Sequence, residues 1–297
     1  MYLSFYGLER EPFRLNPDPR FLYLAAPHRK ALETMLEAVS LRKALQVAVG
    51  PVGTGKTTLL YCLQHILLHE ASRERPMRTA FIVNPVLTAS ELFEMLLDDL
   101  EISTSAKTKP ASLRLLQDLL SQEYARNGKI VLIIDEAHLL PVALLEEIRL
   151  LLNLDHYSSN VLHVMLCGQP ELVSLLVKPE CAAIRQRVAE FSKLRPLSLE
   201  ETRDYIVERL RTAGLRDEGP FTQAAFEDIQ RRSGGVPRMI NMICDRTLAS
   251  GYRRQARRIG PDLVREAADE LKSLHATLHV IDSPVDDVTS ILAPSNG

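Results

Sequence analysis

The sequence predicts an α/β protein, with a parallel sheet layered between helices and a small domain built only of helices after it. Three observations carry this reading. Up to about residue 195, short and almost wholly apolar runs alternate with helical patterns, as buried parallel strands and their crossover helices do. From Pro196 onward the strand-like runs stop and helical spacing alone is left. The 297 residues are 46% hydrophobic and 25% charged, an ordinary globular balance in a chain long enough to bury about three quarters of its unfolded surface. Disordered, collagen-like and coiled-coil classes are thereby excluded, and neither disulfides nor a metal are needed to hold the core.

Residues 1–28 are rich in aromatics and prolines. Each proline keeps the residue before it out of the helical region, so Asn16-Pro17-Asp18-Pro19 predicts an extended arm and not a helix. The spacing of Ala31, Leu32, Met35, Leu36 and Val39 predicts a helix over 28–42, and residues 1–42 are taken as the arm and first helix of the core. The core proper, 43–195, opens with an apolar strand at 44–49, a Gly-rich turn and a helix over 57–70. A strand at 78–84, helices at 89–101 and 111–126, a fully apolar strand at 130–134, a helix at 139–153 and a strand at 161–167 follow. Residues 196–272 form the helical domain, with helices predicted over 199–213, 222–233, 237–253 and 261–271. Residues 273–297 carry Asp, Ser, Pro and Asn with few bulky side chains and predict a disordered tail.

Lys+Arg 36 against Asp+Glu 38 gives a net charge of −2, so nothing global attracts the chain to nucleic acid or anionic lipid. Cys62, Cys167, Cys181 and Cys244 show no CxxC spacing, which argues for buried thiols in a reducing compartment. The start MYLSFYGLEREPF lacks the order of a signal peptide, and no apolar run reaches the 18 or so residues of a membrane span. A cytoplasmic location is expected.

Gly50-Pro51-Val52-Gly53-Thr54-Gly55-Lys56-Thr57 fits G-x-x-x-x-G-K-[ST] at every fixed position. The glycines let successive backbone N–H groups converge on phosphate oxygens, Lys56 reaches the β and γ phosphates, and the Thr57 hydroxyl ligates Mg²⁺; Thr58 continues the same first helical turn. Such a match would arise by chance in roughly 1% of chains of this length, and here it also lies between a strand and a helix, as a phosphate site at a helix N-terminus requires. Ile130-Val131-Leu132-Ile133-Ile134-Asp135-Glu136 is the second half of the site. A buried strand ending in acids puts Asp135 where it can hold Mg²⁺ and makes Glu136 the candidate general base for the attacking water. Asp135-Glu136-Ala137-His138 also spells a helicase box, but that class needs two tandem nucleotide-binding cores and too little chain follows the first.

These motifs join Phe5-Tyr6-Gly7-Leu8, Glu11-Pro12-Phe13, Asn16-Pro17-Asp18-Pro19-Arg20-Phe21-Leu22-Tyr23, Glu146-Glu147-Ile148-Arg149-Leu150, Gly168-Gln169-Pro170-Glu171-Leu172 and Gly234-Gly235-Val236-Pro237-Arg238. As a set, over residues 1–272, they resemble the AAA+ ATPases of the general secretion pathway protein A (ExeA-like) family, which implies a P-loop NTPase core with a helical lid. The resemblance implies that Gln169 acts as a first sensor toward the γ phosphate, where many AAA+ proteins carry Asn. It implies that Arg187, with Arg185 as the alternative, reaches the γ phosphate of a neighbouring subunit, and that Arg238 is the second sensor. His28, with residues 21–27, resembles the adenine-side wall.

The expected function is an ATPase, using ATP and Mg²⁺, that forms a homo-oligomeric ring or filament and drives assembly of a cell-envelope machine for secretion, pili or exopolysaccharide. Secretion-type family members carry a transmembrane segment and a peptidoglycan-binding domain after the ATPase, and this sequence shows neither, so a separate envelope or membrane partner is expected. The alternative is a DNA-binding regulator similar to transposon target-selection ATPases, with Arg253, Arg254, Arg257 and Arg258, joined by Arg231, Arg232 and Arg246, neutralising phosphates. A catalytically idle nucleotide switch is disfavoured by the presence of Glu136.

Overall fold

The computed structural model describes residues 2–15, 23–71, 76–102, 108–154 and 161–281. They fall into two units: the described residues of 17–197 with 236–238, and those of 1–16, 198–235 and 239–297.

The first unit is built around five parallel strands, β1 Leu45–Val49, β2 Met77–Ile82, β3 Lys129–Ile134, β4 Leu162–Gly168 and β5 Val188–Lys193, in the order β2-β3-β4-β1-β5. Helices α2 Ala26–Ser40, α3 Lys56–Glu70, α4 Ala89–Asp99, α5 Lys109–Ala125, α6 Val142–Leu154, α7 Glu171–Val177 and α8 Ala182–Arg185 complete it. Successive strand residues face opposite sides, and the sequence fills both sides with apolar groups. Leu45, Val47, Leu132, Val164 and Leu166 pack with Phe93 of α4, Leu120 of α5 and Ile148 of α6. Ala48, Val131, Ile133, Met165 and Cys167 pack with Met35 of α2 and Leu59, Leu60 and Leu63 of α3. This is the three-layer α/β arrangement predicted. Parallel pairing of β4 with both β1 (Val49↔Gly168) and β3 (Ile134↔Leu166) brings three strand ends to one edge of the sheet.

One strand departs from the sequence reading. The segment 185–187 reads as the approach to the lid, yet β5 begins at Val188 and pairs with β1. It lies at the sheet edge with partly exposed Glu190 and exposed Phe191, so it lacks the unbroken apolar run that marks an interior strand.

The second unit contains α9 Leu199–Thr212, α10 Gln223–Ser233, most of α11 Pro237–Arg253 and α12 Pro261–Ile281. Thr222 caps α10 by accepting from the Ala225 N–H, and Ser198 and Glu201 form a capping box on α9. Two expectations are corrected here. Residues 2–15 belong to this unit and not to the core, and they include a four-residue helix, α1 Tyr2–Phe5. The reason is that the arm's polar groups meet their partners in this unit: Tyr2 Oη donates to Asp245 of α11 at 2.6 Å, Tyr6 Oη donates to the Ala256 carbonyl after α11 at 2.9 Å, and Arg209 Nε of α9 donates to the Pro12 carbonyl at 2.5 Å. The Arg257 guanidinium also sits 4.2 Å from the Phe5 ring centre, a cation–π pair. The disorder predicted from 273 is corrected over 273–281, because α12 continues to Ile281. Residues 282–297, and positions 16–22 of the amino-terminal motif, lie outside the described residues.

All four cysteines are free thiols, buried at 167, 181 and 244. No helix among the described residues is long and apolar enough to cross a membrane.

Candidate functional site

The turn from β1 into α3 hangs between two strand ends. Gly50 N–H donates to the Gly168 carbonyl at 3.1 Å, and Leu194 N–H donates to the Val49 carbonyl at 2.8 Å. Gly53 and Gly55 adopt φ of 76° and 90°, the left-handed region that glycine enters without steric cost. A Cβ on Gly53 would also lie 2.9 Å from Arg238 Cβ. Thr54 is buried inside the loop, where its hydroxyl donates to the Pro51 carbonyl at 2.8 Å. Pro51 is half-buried, Val52 is exposed at the tip, and Thr58 is half-buried on the first turn of α3.

Lys56 is only 6% exposed, and its ammonium donates to the Gly50 carbonyl at 3.0 Å and the Pro51 carbonyl at 3.2 Å. The cation is thus held inside the loop it serves. Thr57 Oγ1 donates to Asp135 Oδ2 at 2.5 Å. Asp135 is fully buried, its N–H donates to the Ile82 carbonyl of β2 at 2.8 Å, and its second oxygen accepts from the Glu136 N–H at 2.8 Å. Cys167 lies among these charges: burial pushes its thiol up, the Asp135 carboxylate adds to the rise and the Lys56 ammonium opposes it. It is a neutral wall of the site and not a nucleophile.

The sequence-predicted residues divide into two groups. The loop, Lys56, Thr57, Asp135 and Glu136 lie together in the structure, and two others lie against the loop. His28 is buried, with Nε2 2.7 Å from the Thr54 carbonyl oxygen, which places it against the phosphate loop. The Arg238 N–H donates to the Gly53 carbonyl at 3.2 Å, and residues 236–238 count with the core unit. Arg185 and Arg187 are exposed and differ in commitment: Arg185 donates to the Leu176 and Val177 carbonyls, each at 3.0 Å, at the end of α7, whereas Arg187 donates to the Asn153 side chain at 2.6 Å. The sequence reading gives no role to His138, whose Nδ1 stands 3.3 Å from Glu136 Oε2. The spacing of two residues beyond Glu136 was the one signal available for it.

The donor set fits a nucleotide triphosphate with Mg²⁺. Left-handed glycines leave the loop concave, an ammonium points into it, and hydroxyl and carboxylate oxygens, the ligands a hard cation prefers, meet at its foot.

Residues 40–176 match the model of an AAA domain family. The sequence is 36% identical over 279 residues to general secretion pathway protein A of Aeromonas hydrophila, covering 92% of this chain and 49% of that protein. The chain therefore spans about half the length of this relative. Among solved structures, CDC6P from Pyrobaculum aerophilum superposes with a TM-score of 0.66 at 17% identity, covering 85% of this chain and 70% of that one. Drosophila ORC bound to DNA superposes with a TM-score of 0.67 at 18% identity, covering 89% and 65%. Loop, strand order and relatives agree: the chain has the α/β fold of the AAA+ P-loop NTPases and carries an AAA domain over residues 40–176, in a sequence similar over 92% of its length to general secretion pathway protein A.

Proposed function

We propose that the chain is an Mg²⁺-dependent ATPase, converting ATP and water to ADP and phosphate, that assembles with copies of itself and powers or regulates assembly of a cell-envelope machine for secretion, pili or exopolysaccharide. The observation that carries the chemistry is the meeting of Thr57 and Asp135 at 2.5 Å at the foot of a glycine loop, with Glu136 the next residue. Thr57 and Asp135 would hold Mg²⁺, which when bound supplies neutralising charge to the β and γ phosphate oxygens. Lys56 adds a second positive charge, Glu136 takes the proton of the attacking water, and Gln169 and Arg238 steady the γ phosphate. The envelope role rests on the likeness to general secretion pathway protein A. Phosphate release from ATP by the purified chain, measured with Mg²⁺ and with excess EDTA, tests the reading; a protein that neither binds nor hydrolyses ATP overturns it.

Assembly makes its own prediction. Arg187 is tied to one side-chain amide, whereas Arg185 caps α7 through two carbonyls, so Arg187 is the residue with freedom to reach a neighbour's site. Arg187→Ala is expected to lower kcat roughly 100-fold while nucleotide affinity stays. Mixing Arg187→Ala with Lys56→Ala subunits should restore part of the rate, because intact sites then receive an intact arginine. No recovery on mixing, with assembly verified by light scattering, removes the trans role.

A second reading, ATP-dependent DNA binding, is favoured by one feature. Arg253, Arg257 and Arg258 are exposed and have no acidic partner among the described residues. The rest of the expected cluster is neutralised: Arg232 contacts Asp228 and Asp269, Arg231 contacts Asp228, Arg246 contacts Glu270 and Arg254 contacts Glu266. Three phosphate contacts predict a log–log salt slope of only about −3. Anisotropy with duplex DNA and ATP at two salt concentrations measures it, and no binding at low salt removes this reading.

A further inference from the structure

Three features of the chain after β3 converge on one ring nitrogen. Glu136 takes a left-handed φ of 49°, unusual for a residue with a side chain, and so turns the backbone into the 3-10 turn Ala137–Leu139. That turn lies against the end of β4: a Cβ on Gly168 would stand 3.0 Å from the His138 backbone nitrogen, so only glycine permits the approach without displacement. The His138 side chain, 12% exposed, then places Nδ1 3.3 Å from Glu136 Oε2 and 3.5 Å from the Gln169 backbone nitrogen. Glu136 Oε2 is itself buried and has no hydrogen bond among the described residues, and the imidazole nitrogen stands 3.3 Å from it.

An imidazole nitrogen carries either a hydrogen or a lone pair. With its hydrogen on Nδ1 the ring can donate to Glu136; with the lone pair there it can accept from the Gln169 N–H. It cannot do both. We propose that His138 is the positioning residue of the general base: it holds the Glu136 carboxylate in one arrangement and frees it in the other, so that the base answers to the loop after β4. This rests on the reading of Glu136 as the base of an ATPase. His138 touches no reacting atom, and its effect passes through Glu136 and the Gln169 backbone.

Steady-state kinetics of the full chain test the proposal. His138→Ala is expected to lower kcat roughly 10- to 100-fold, the scale of a misplaced catalytic group, with the KM for ATP changed by less than about twofold. His138→Asn, whose amide falls where Nδ1 stood, should recover most of the rate; His138→Gln, whose amide falls where Nε2 stood, should not. Equal rescue by Asn and Gln, an unchanged kcat in His138→Ala, or a KM that rises in step with a fall in Tm overturns the positioning role. A second measurement stands apart from turnover: in ¹⁵N spectra of the histidine rings, the His138 Nδ1 resonance should move in Glu136→Gln and stay in place in Lys56→Ala. An unmoved resonance overturns the contact itself. Absence of hydrolysis in wild type together with a moved resonance overturns the ATPase reading and leaves the contact standing.

Discussion

Lys56→Ala is expected to lose both nucleotide affinity and turnover, with kcat/KM for ATP down by about 10³- to 10⁵-fold. A hydrogen bond from a charged donor contributes about 1.5–3 kcal/mol, or roughly 10- to 100-fold at 1.36 kcal/mol per tenfold, and this part appears in binding. Charge that develops on the γ phosphate adds a further loss in kcat, since removing one preorganised donor typically costs about 10²–10³-fold. The structure adds a local reason for a large effect. The Lys56 ammonium satisfies the Gly50 and Pro51 carbonyls, so its removal unpins the loop as well as uncharging it. Lys56→Arg separates the two, because a guanidinium keeps the charge but presents a planar fork where the loop admits a compact ammonium; it should bind ATP weakly and turn over poorly. Binding of a fluorescent ATP analogue and phosphate release give the two numbers. Turnover within about threefold of wild type in Lys56→Ala, a difference too small for a lost charged hydrogen bond, would falsify the ATPase reading.

What could be read from the sequence followed burial. β3 is recognisable because both of its faces are covered, so Ile130 to Ile134 are apolar without interruption, and Asp135 stands out at its end. The phosphate loop is recognisable because its backbone needs glycine at Gly53 and Gly55. β5 is hidden for the converse reason: an edge strand with Glu190 and Lys193 shows neither a continuous run nor a clean alternation. The arm's placement is hidden because its partners, Ala213, Asp245 and Ala256, lie some two hundred residues away in sequence. His138 is hidden because its relation to Glu136 depends on a backbone turn through positive φ and on the bare surface of Gly168, and no spacing rule encodes either.

Glu136→Gln should lose turnover as Lys56→Ala does but keep nucleotide affinity, and the contrast is what separates hydrolysis from mere nucleotide sensing. Glutamine has nearly the shape of glutamate, so the left-handed turn at position 136 and the 3-10 turn after it gain no strain. The Asp135 oxygen that accepts the residue's N–H is untouched, and Lys56, Thr57 and Asp135 keep their places. Affinity for ATP and Mg²⁺ should therefore stay near wild type. The amide cannot accept the proton of the attacking water, and loss of a general base costs about 10²–10⁴-fold in kcat. Any assembly that depends on ATP should accumulate, since the triphosphate is bound and not consumed; size-exclusion chromatography with ATP should show a larger species for Glu136→Gln than for wild type at the same protein concentration. Asp135→Asn is the control that differs, because it weakens the oxygen pair at the foot of the loop and should shift the Mg²⁺ dependence to higher concentration. A chain that only sensed nucleotide would show no rate for Glu136→Gln to lose and the same assembly with either residue at 136, so equal elution profiles with ATP, alongside an unmeasurable wild-type rate, would exclude the general-base role.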